Sequence, residues 1–109
     1  MRLVVQRAMR ASVSVDGSVV GALAAPGLVI LCGATHTDTP AVADRLADKV
    51  WNLRIMDDER SAADIQAPLL VVSQFTLYAD VRKGRRPSWS AAAPRPVSEP
   101  LIDDFVNAL

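Results

Sequence analysis

The sequence has one cysteine, one histidine and no excess of charge, with twelve Lys and Arg against twelve Asp and Glu. One cysteine cannot form a disulfide within the chain. Cys32, inside the apolar run GLVILCG, fits the small buried hydrophobe that free cysteine usually is. The only histidine, His36 in GATHTDTP, has no cysteine, second histidine or glutamate at ligand spacing beside it, so neither a metal nor a cofactor is expected. Balanced charge names no partner by itself. Long hydrophobic runs are missing as well. The start, MRLVVQRAMR, places cations on both sides of a very short apolar stretch, which is neither a secretory core region nor a membrane span. A cytoplasmic protein without a membrane partner is the expectation.

What is present fits one folded domain over 1–109: half of the 109 residues are hydrophobic, enough for a single core and too few for two. The order of patterns predicts an α+β fold. LVVQRA reads as a first strand. ASVSVDGSVVG reads as a hairpin, because alternating Val13, Val15 and Val19 flank Asp16-Gly17, a pair suited to a two-residue type I′ turn. PGLVILCGA is a continuous apolar run bounded by turn residues, as in a central strand buried on both faces. TDTPAVADRLADKVWNLRI opens with Thr39 as N-cap and Pro40 at the first helical position, and then repeats Val42, Leu46, Val50 and Leu53 at helical spacing. PLLVVSQFTLY predicts a second buried strand, and SEPLIDDFVNAL a helix with Leu101, Phe105 and Leu109 on one face.

Charge is unevenly spread despite the balance. Between Val81 and Val97 there is no acid, while Arg82, Lys83, Arg85, Arg86 and Arg95 stand beside Trp89 and two serines. Cations on a glycine-containing loop suit phosphate oxygens, and an indole can cover a base or a ribose. The same loop also reads as a solvated face whose arginines pair with Asp57, Asp58 and Glu59. The first reading gains weight from position. The loop follows a strand end that delivers Ser73, Gln74 and Thr76, and sites are commonly built where polar groups meet a strand terminus. A threonine nucleophile would need a base within hydrogen-bond reach, and His36 reads as a surface residue in another segment.

Along its whole length the sequence resembles the D-aminoacyl-tRNA deacylases of the D-tyrosyl-tRNA deacylase family. The resemblance rests on MRLVVQR, SVSVDGSVVG, GATH, ADRLADKVWNLRI, SQFTLYAD and KGRRPSWSAAAP, of which SQFTLYAD is the most specific. It implies a homodimer of a compact β-rich barrel with packed helices, hydrolysing the ester between a D-amino acid and the terminal adenosine of tRNA. A non-catalytic module that binds the tRNA end or dimerises stays open beside it. Ser73, Gln74, Phe75 and Thr76 match the family motif that lines the pocket for the adenosine and the ester, which makes Gln74, Phe75 and Thr76 the catalytic candidates and Ser73 a substrate-binding one. Arg7 matches the arginine that braces the chirality-selecting element. Arg82, Lys83, Arg85 and Arg86 are assigned to tRNA phosphates on charge alone. The family continues with further strands and a Gly-cis-Pro pair that enters the partner subunit's pocket and excludes L-amino acids. This sequence has no glycine after Gly84, and its final helical pattern runs to Leu109 without a closing signal. A C-terminally truncated domain, short of the last barrel strands, is therefore expected.

Overall fold

The computed structural model describes Met1–Leu109. In chain order it contains β1 (Arg2–Ala8), β2 (Ser12–Val15), β3 (Ser18–Ala22), β4 (Gly27–Gly33), α1 (Pro40–Asn52), a 3-10 turn (Asp57–Glu59), the single-turn α2 (Ala62–Ile65), β5 (Leu69–Ser73), a second 3-10 turn (Phe75–Tyr78) and α3 (Arg95–Ala108). The fold is α+β, with the strands in two sheets. One is three-stranded in the order β1-β4-β5, and the other is the β2-β3 hairpin.

The hairpin forms as its turn chemistry dictates. Val15 pairs with Ser18 across Asp16 and Gly17, both at positive φ (51° and 80°), the two left-handed positions that a type I′ turn requires. The hairpin lies over one face of the large sheet, where a Cβ on Gly21 would sit 3.0 Å from a Leu70 methyl.

β4 is central. It pairs antiparallel with β1, from Arg2 opposite Gly33 to Ala8 opposite Gly27, and parallel with β5, from Leu28 opposite Leu69 to Cys32 opposite Ser73. Its alternation separates two faces. Leu28, Ile30 and Cys32 are fully buried, whereas Val29 and Leu31 on the other face are half-buried. The core lies under the first face, where these three meet Ala43, Ala47 and Val50 of α1 and Phe105 of α3. Full burial of a side chain such as Phe105 contributes about 1.5–3 kcal/mol.

Thr39 caps α1 by accepting from the Val42 N–H, and Pro40 occupies the first turn. The helix ends at Asn52, with Leu53 already extended. Its buried line is Ala43-Ala47-Val50, with Val42 and Leu46 only half-buried beside it. α1 packs closely along α3, and its buried line is mostly small alanine, which a search for large apolar residues passes over. α2 is held by a reciprocal capping box between Ser61 and Asp64.

Two sequence boundaries are corrected. β5 stops at Ser73, short of the strand expected through Tyr78, and it is half-exposed because it forms an edge of the sheet. α3 begins at Arg95, before the expected Ser98, and carries Pro100 inside it. Pro96 suits the first turn, whereas Pro100 removes one intrahelical N–H. Burial of Leu101 and Phe105 on the expected face offsets that loss.

Candidate active site

The ladder that aligns β5 with β4 ends where β4 does. The Gln74 N–H donates to the Cys32 carbonyl at 2.8 Å, and the chain then folds back on itself, with Leu77 N–H on the Gln74 carbonyl (3.3 Å) and Ala79 N–H on the Thr76 carbonyl (3.1 Å). Gly33 makes this possible. A Cβ there would stand 2.8 Å from the Gln74 carbonyl oxygen and 3.2 Å from the Leu77 Cβ, so the turn can rest on β4 only where no side chain intervenes. Tyr78 is buried as the turn's anchor.

The turn keeps Gln74 beside Thr76 and places Ser73 and Phe75 on a common cleft. The Gln74 side-chain amide donates to the Thr76 hydroxyl. Phe75 projects outward, more than half exposed, and meets the Trp89 indole edge-on with ring centroids 6.0 Å apart at 66°. Ser73, Phe75 and Trp89 form one wall of a cleft of roughly 450 Å³, and Arg95, Ser98 and Glu99 of α3 form the other. Gln74 and Thr76 lie in the adjoining turn and are not among its walls.

The basic loop is tied at its base. Asp80 and Ser88 exchange backbone hydrogen bonds of 2.6 and 2.7 Å, and every residue from Val81 to Ser90 is exposed. Its four cations are not equivalent. Arg82 grips Asp80 through Nε (3.0 Å) and Nη2 (2.7 Å), and its backbone N–H adds a third bond at 3.0 Å. Those bonds favour the charged carboxylate and hold Asp80 down at about 2. Lys83, Arg85 and Arg86 form no ion pair, and the pairing with Asp57, Asp58 and Glu59 that a solvated loop allowed does not occur: Asp57 pairs with Arg7, and Asp58 with Arg60.

His36 braces this region. Its Nε2 lies 2.8 Å from the Ser90 carbonyl, while the Thr35 hydroxyl donates to the Ala91 carbonyl and the Ala93 N–H donates to the Ala34 carbonyl (2.9 Å). Facing a carbonyl, Nε2 carries the ring proton, and the ring makes no hydrogen bond to Thr76, whose hydroxyl is met by Gln74 instead. Arg7 lies elsewhere. It stands opposite Leu28, whereas Ser73 stands level with Cys32 and Leu3, four residues or roughly 13 Å along the sheet at ~3.3 Å per residue. There Arg7 donates to Asp57 at 2.8 Å beside Met9, Gly27 and Met56. One chain thus brings Ser73 to Thr76 together with the basic loop, and leaves Arg7 outside.

Sequence reasoning missed Asp80 and Arg2. An acid two residues before an arginine was a legible signal for the first. For Arg2 there was none, since its partners are residues about 75 positions away.

A family model described as D-Tyr-tRNA(Tyr) deacylase matches residues 4–109. A D-aminoacyl-tRNA deacylase of Cutibacterium acnes is 66% identical over 109 residues, spanning all of this chain and 75% of its own length. One from Thermobifida fusca is 65% identical, with 77% of its length spanned. One from Mycolicibacterium smegmatis is 61% identical over 111 residues, with 78% spanned. This chain therefore covers about three quarters of these relatives. Among solved structures, the c-Myc DNA Unwinding Element Binding Protein superposes with a TM-score of 0.90 at 36% identity, over 98% of this chain and 74% of the other. A probable eukaryotic D-amino acid tRNA deacylase superposes with a TM-score of 0.77 at 17% identity, over 97% and 65%, which shows likeness of fold alone. With a family model matched over nearly its whole length and relatives above 60% identity, the chain belongs to the D-Tyr-tRNA(Tyr) deacylase family.

Proposed function

We infer that the protein hydrolyses the ester between a D-amino acid and the terminal adenosine of tRNA, a step of chiral quality control in translation. The observation that carries this is family membership across the length of the chain, with relatives named D-aminoacyl-tRNA deacylase.

The local chemistry agrees with the reading. Water adds to the ester carbonyl carbon, negative charge collects on the carbonyl oxygen, and collapse expels the ribose oxygen, which takes up a proton. An aminoacyl ester is an activated bond, so preorganised donors aimed at the developing oxyanion can carry much of the catalysis. The opening N–H groups of a helical turn have no partner within it, and the turn begins at Phe75. Phe75 and Thr76 are assigned to present such backbone donors, Gln74 to orient the Thr76 hydroxyl, and Ser73 to meet the adenosine. Lys83, Arg85 and Arg86 take tRNA phosphates, where unpaired exposed cations release counterions on binding.

Arg7 enters through a second copy. We assign Arg7, roughly 13 Å along the sheet from Ser73 within one chain, to bracing the chirality-selecting element across a homodimer. The setting assigned is the cytoplasm, and no helix is long and apolar enough to cross a membrane.

The test is release of D-tyrosine from D-tyrosyl-tRNA by the purified chain, with L-tyrosyl-tRNA as comparison and sedimentation to measure the oligomer. Saturable tRNA binding without D-tyrosine release would replace the enzyme with a tRNA-end-binding module.

A further inference from the structure

We infer that Arg2 is a positioning residue for this hydrolysis, holding the Phe75–Tyr78 turn in register with β4; the inference rests on the deacylase reading of that turn. Arg2 is the first residue of β1 and pairs with Gly33, the glycine on which the turn rests. From there its guanidinium reaches over the turn. Nη1 donates to the Leu77 carbonyl at 3.0 Å, and Cζ lies 4.5 Å from the centre of the Tyr78 ring. The turn is thus gripped from two sides, by the β4 backbone beneath and by the Arg2 side chain at its end.

The grip adds to the buried anchor of Tyr78, because the turn's own hydrogen bonds hold it weakly. Its internal hydrogen bonds are the long 3.3 Å bond from Leu77 to Gln74 and the 3.1 Å bond from Ala79 to Thr76, and a single 3-10 turn has poor hydrogen-bond geometry of its own. Phe75 is exposed, so packing of that residue contributes little. A cation on the Leu77 carbonyl completes a carbonyl left over at the C-terminal end of the turn, and the same cation on Tyr78 adds attraction to the ring face. Release of Arg2 lets the turn rise from Gly33 and carries Gln74 and Thr76 with it. A displacement near 1 Å at a reacting group is enough to cost about 100-fold in rate.

Single-turnover and steady-state hydrolysis of D-tyrosyl-tRNA is compared for the wild type, Arg2→Ala, Arg2→Met, Arg2→Lys and the exposed control Arg10→Ala, with amide hydrogen exchange read across residues 74–79. Arg2→Met keeps an apolar stem over Tyr78 in case Arg2→Ala fails to fold. Expected is a fall in kcat of about 10- to 100-fold for Arg2→Ala and Arg2→Met, with KM within about twofold, because the phosphate interactions that dominate tRNA affinity are elsewhere. Arg2→Lys should recover much of the rate, since an ammonium can still lie over the ring and donate to one carbonyl. Exchange at Leu77 and Ala79 should quicken while that of β4 stays put. An unchanged kcat and unchanged exchange, or a loss of protection spread evenly over the sheet, overturns the role of Arg2. A wild type that releases no D-tyrosine overturns the deacylase reading instead, and the exchange comparison still decides whether Arg2 holds the turn.

Discussion

The Thr76 hydroxyl takes its hydrogen bond from the side-chain amide of Gln74, two residues earlier in the same turn. No histidine or carboxylate bonds to it, and the only histidine is engaged with the Ser90 carbonyl. A nucleophilic threonine would need a base in that place.

Thr76→Ala is therefore expected to keep a substantial part of the hydrolysis rate. Loss of one hydrogen-bonded hydroxyl costs about 1–2 kcal/mol, whereas loss of a nucleophile removes several orders of magnitude. Single-turnover release of D-tyrosine measures the difference. Complete inactivity with unaltered tRNA binding, or an acyl-threonine trapped in the wild type, would return Thr76 to the nucleophile's role.

The basic loop predicts an unequal response to charge removal. Arg85→Gln with Arg86→Gln should weaken tRNA binding and lower the slope of log affinity against log salt by about 0.7–0.9 for each phosphate no longer neutralised. Arg82→Gln should change that slope little, because Asp80 already neutralises Arg82. Equal slopes for the wild type and the double variant would make the loop a solvated face.

Asp80 supplies a pH test. Its folded value is held at about 2, below the ordinary 3.8, first by the side-chain bonds from Arg82 and then by the Arg82 N–H. A depressed carboxylate stabilises the fold above its unfolded value and loses that contribution as pH falls through the folded one. The window is thus from about pH 4 down to about pH 2. Carboxyl NMR should show Asp80 titrating well below the ordinary 3.8, and Arg82→Gln should return it toward that value. A midpoint that Arg82→Gln does not move would mean that the two side chains are apart in solution.

Gly33→Ala should destabilise the protein by about 1–3 kcal/mol, the usual range for overpacking. The new methyl group has only 2.8 Å to the Gln74 carbonyl oxygen, which is backbone and cannot swing aside. Denaturant midpoints measure the loss, and hydrolysis by the folded fraction should fall as well. A neutral Gly33→Ala would show that the turn sits higher above β4.

Much of the fold was legible because its signals are local. Asp16-Gly17 names its turn through a backbone conformation, Thr39-Pro40 names a helix start through a cap and a fixed φ, and GLVILCG names a central strand through unbroken apolarity. The boundary of β5 was not legible. LLVV and FTLY both have residues that suit a strand, and the change from strand to turn between them depends on where β4 ends and on the space above Gly33, neither of which is written in the stretch itself. α3 was read late for a related reason, since prolines at 94, 96 and 100 look like punctuation until Leu101 and Phe105 are seen in the core.

By itself, the sequence determined the fold class, the hairpin, the central strand, the first helix and the run from Ser73 to Thr76 beside a basic loop, all of which depend on side chains within a few residues of one another. Only the tertiary structure decided that Asp57 pairs with Arg7 and leaves Lys83, Arg85 and Arg86 without an ion pair. It also decided that His36 braces the loop, that Arg7 stands at the other end of the sheet, and that Arg2 reaches the turn from 75 residues away. These are pairings between distant segments. They are set by strand register and by the few ångströms between packed backbones, and a linear pattern of residue types carries neither.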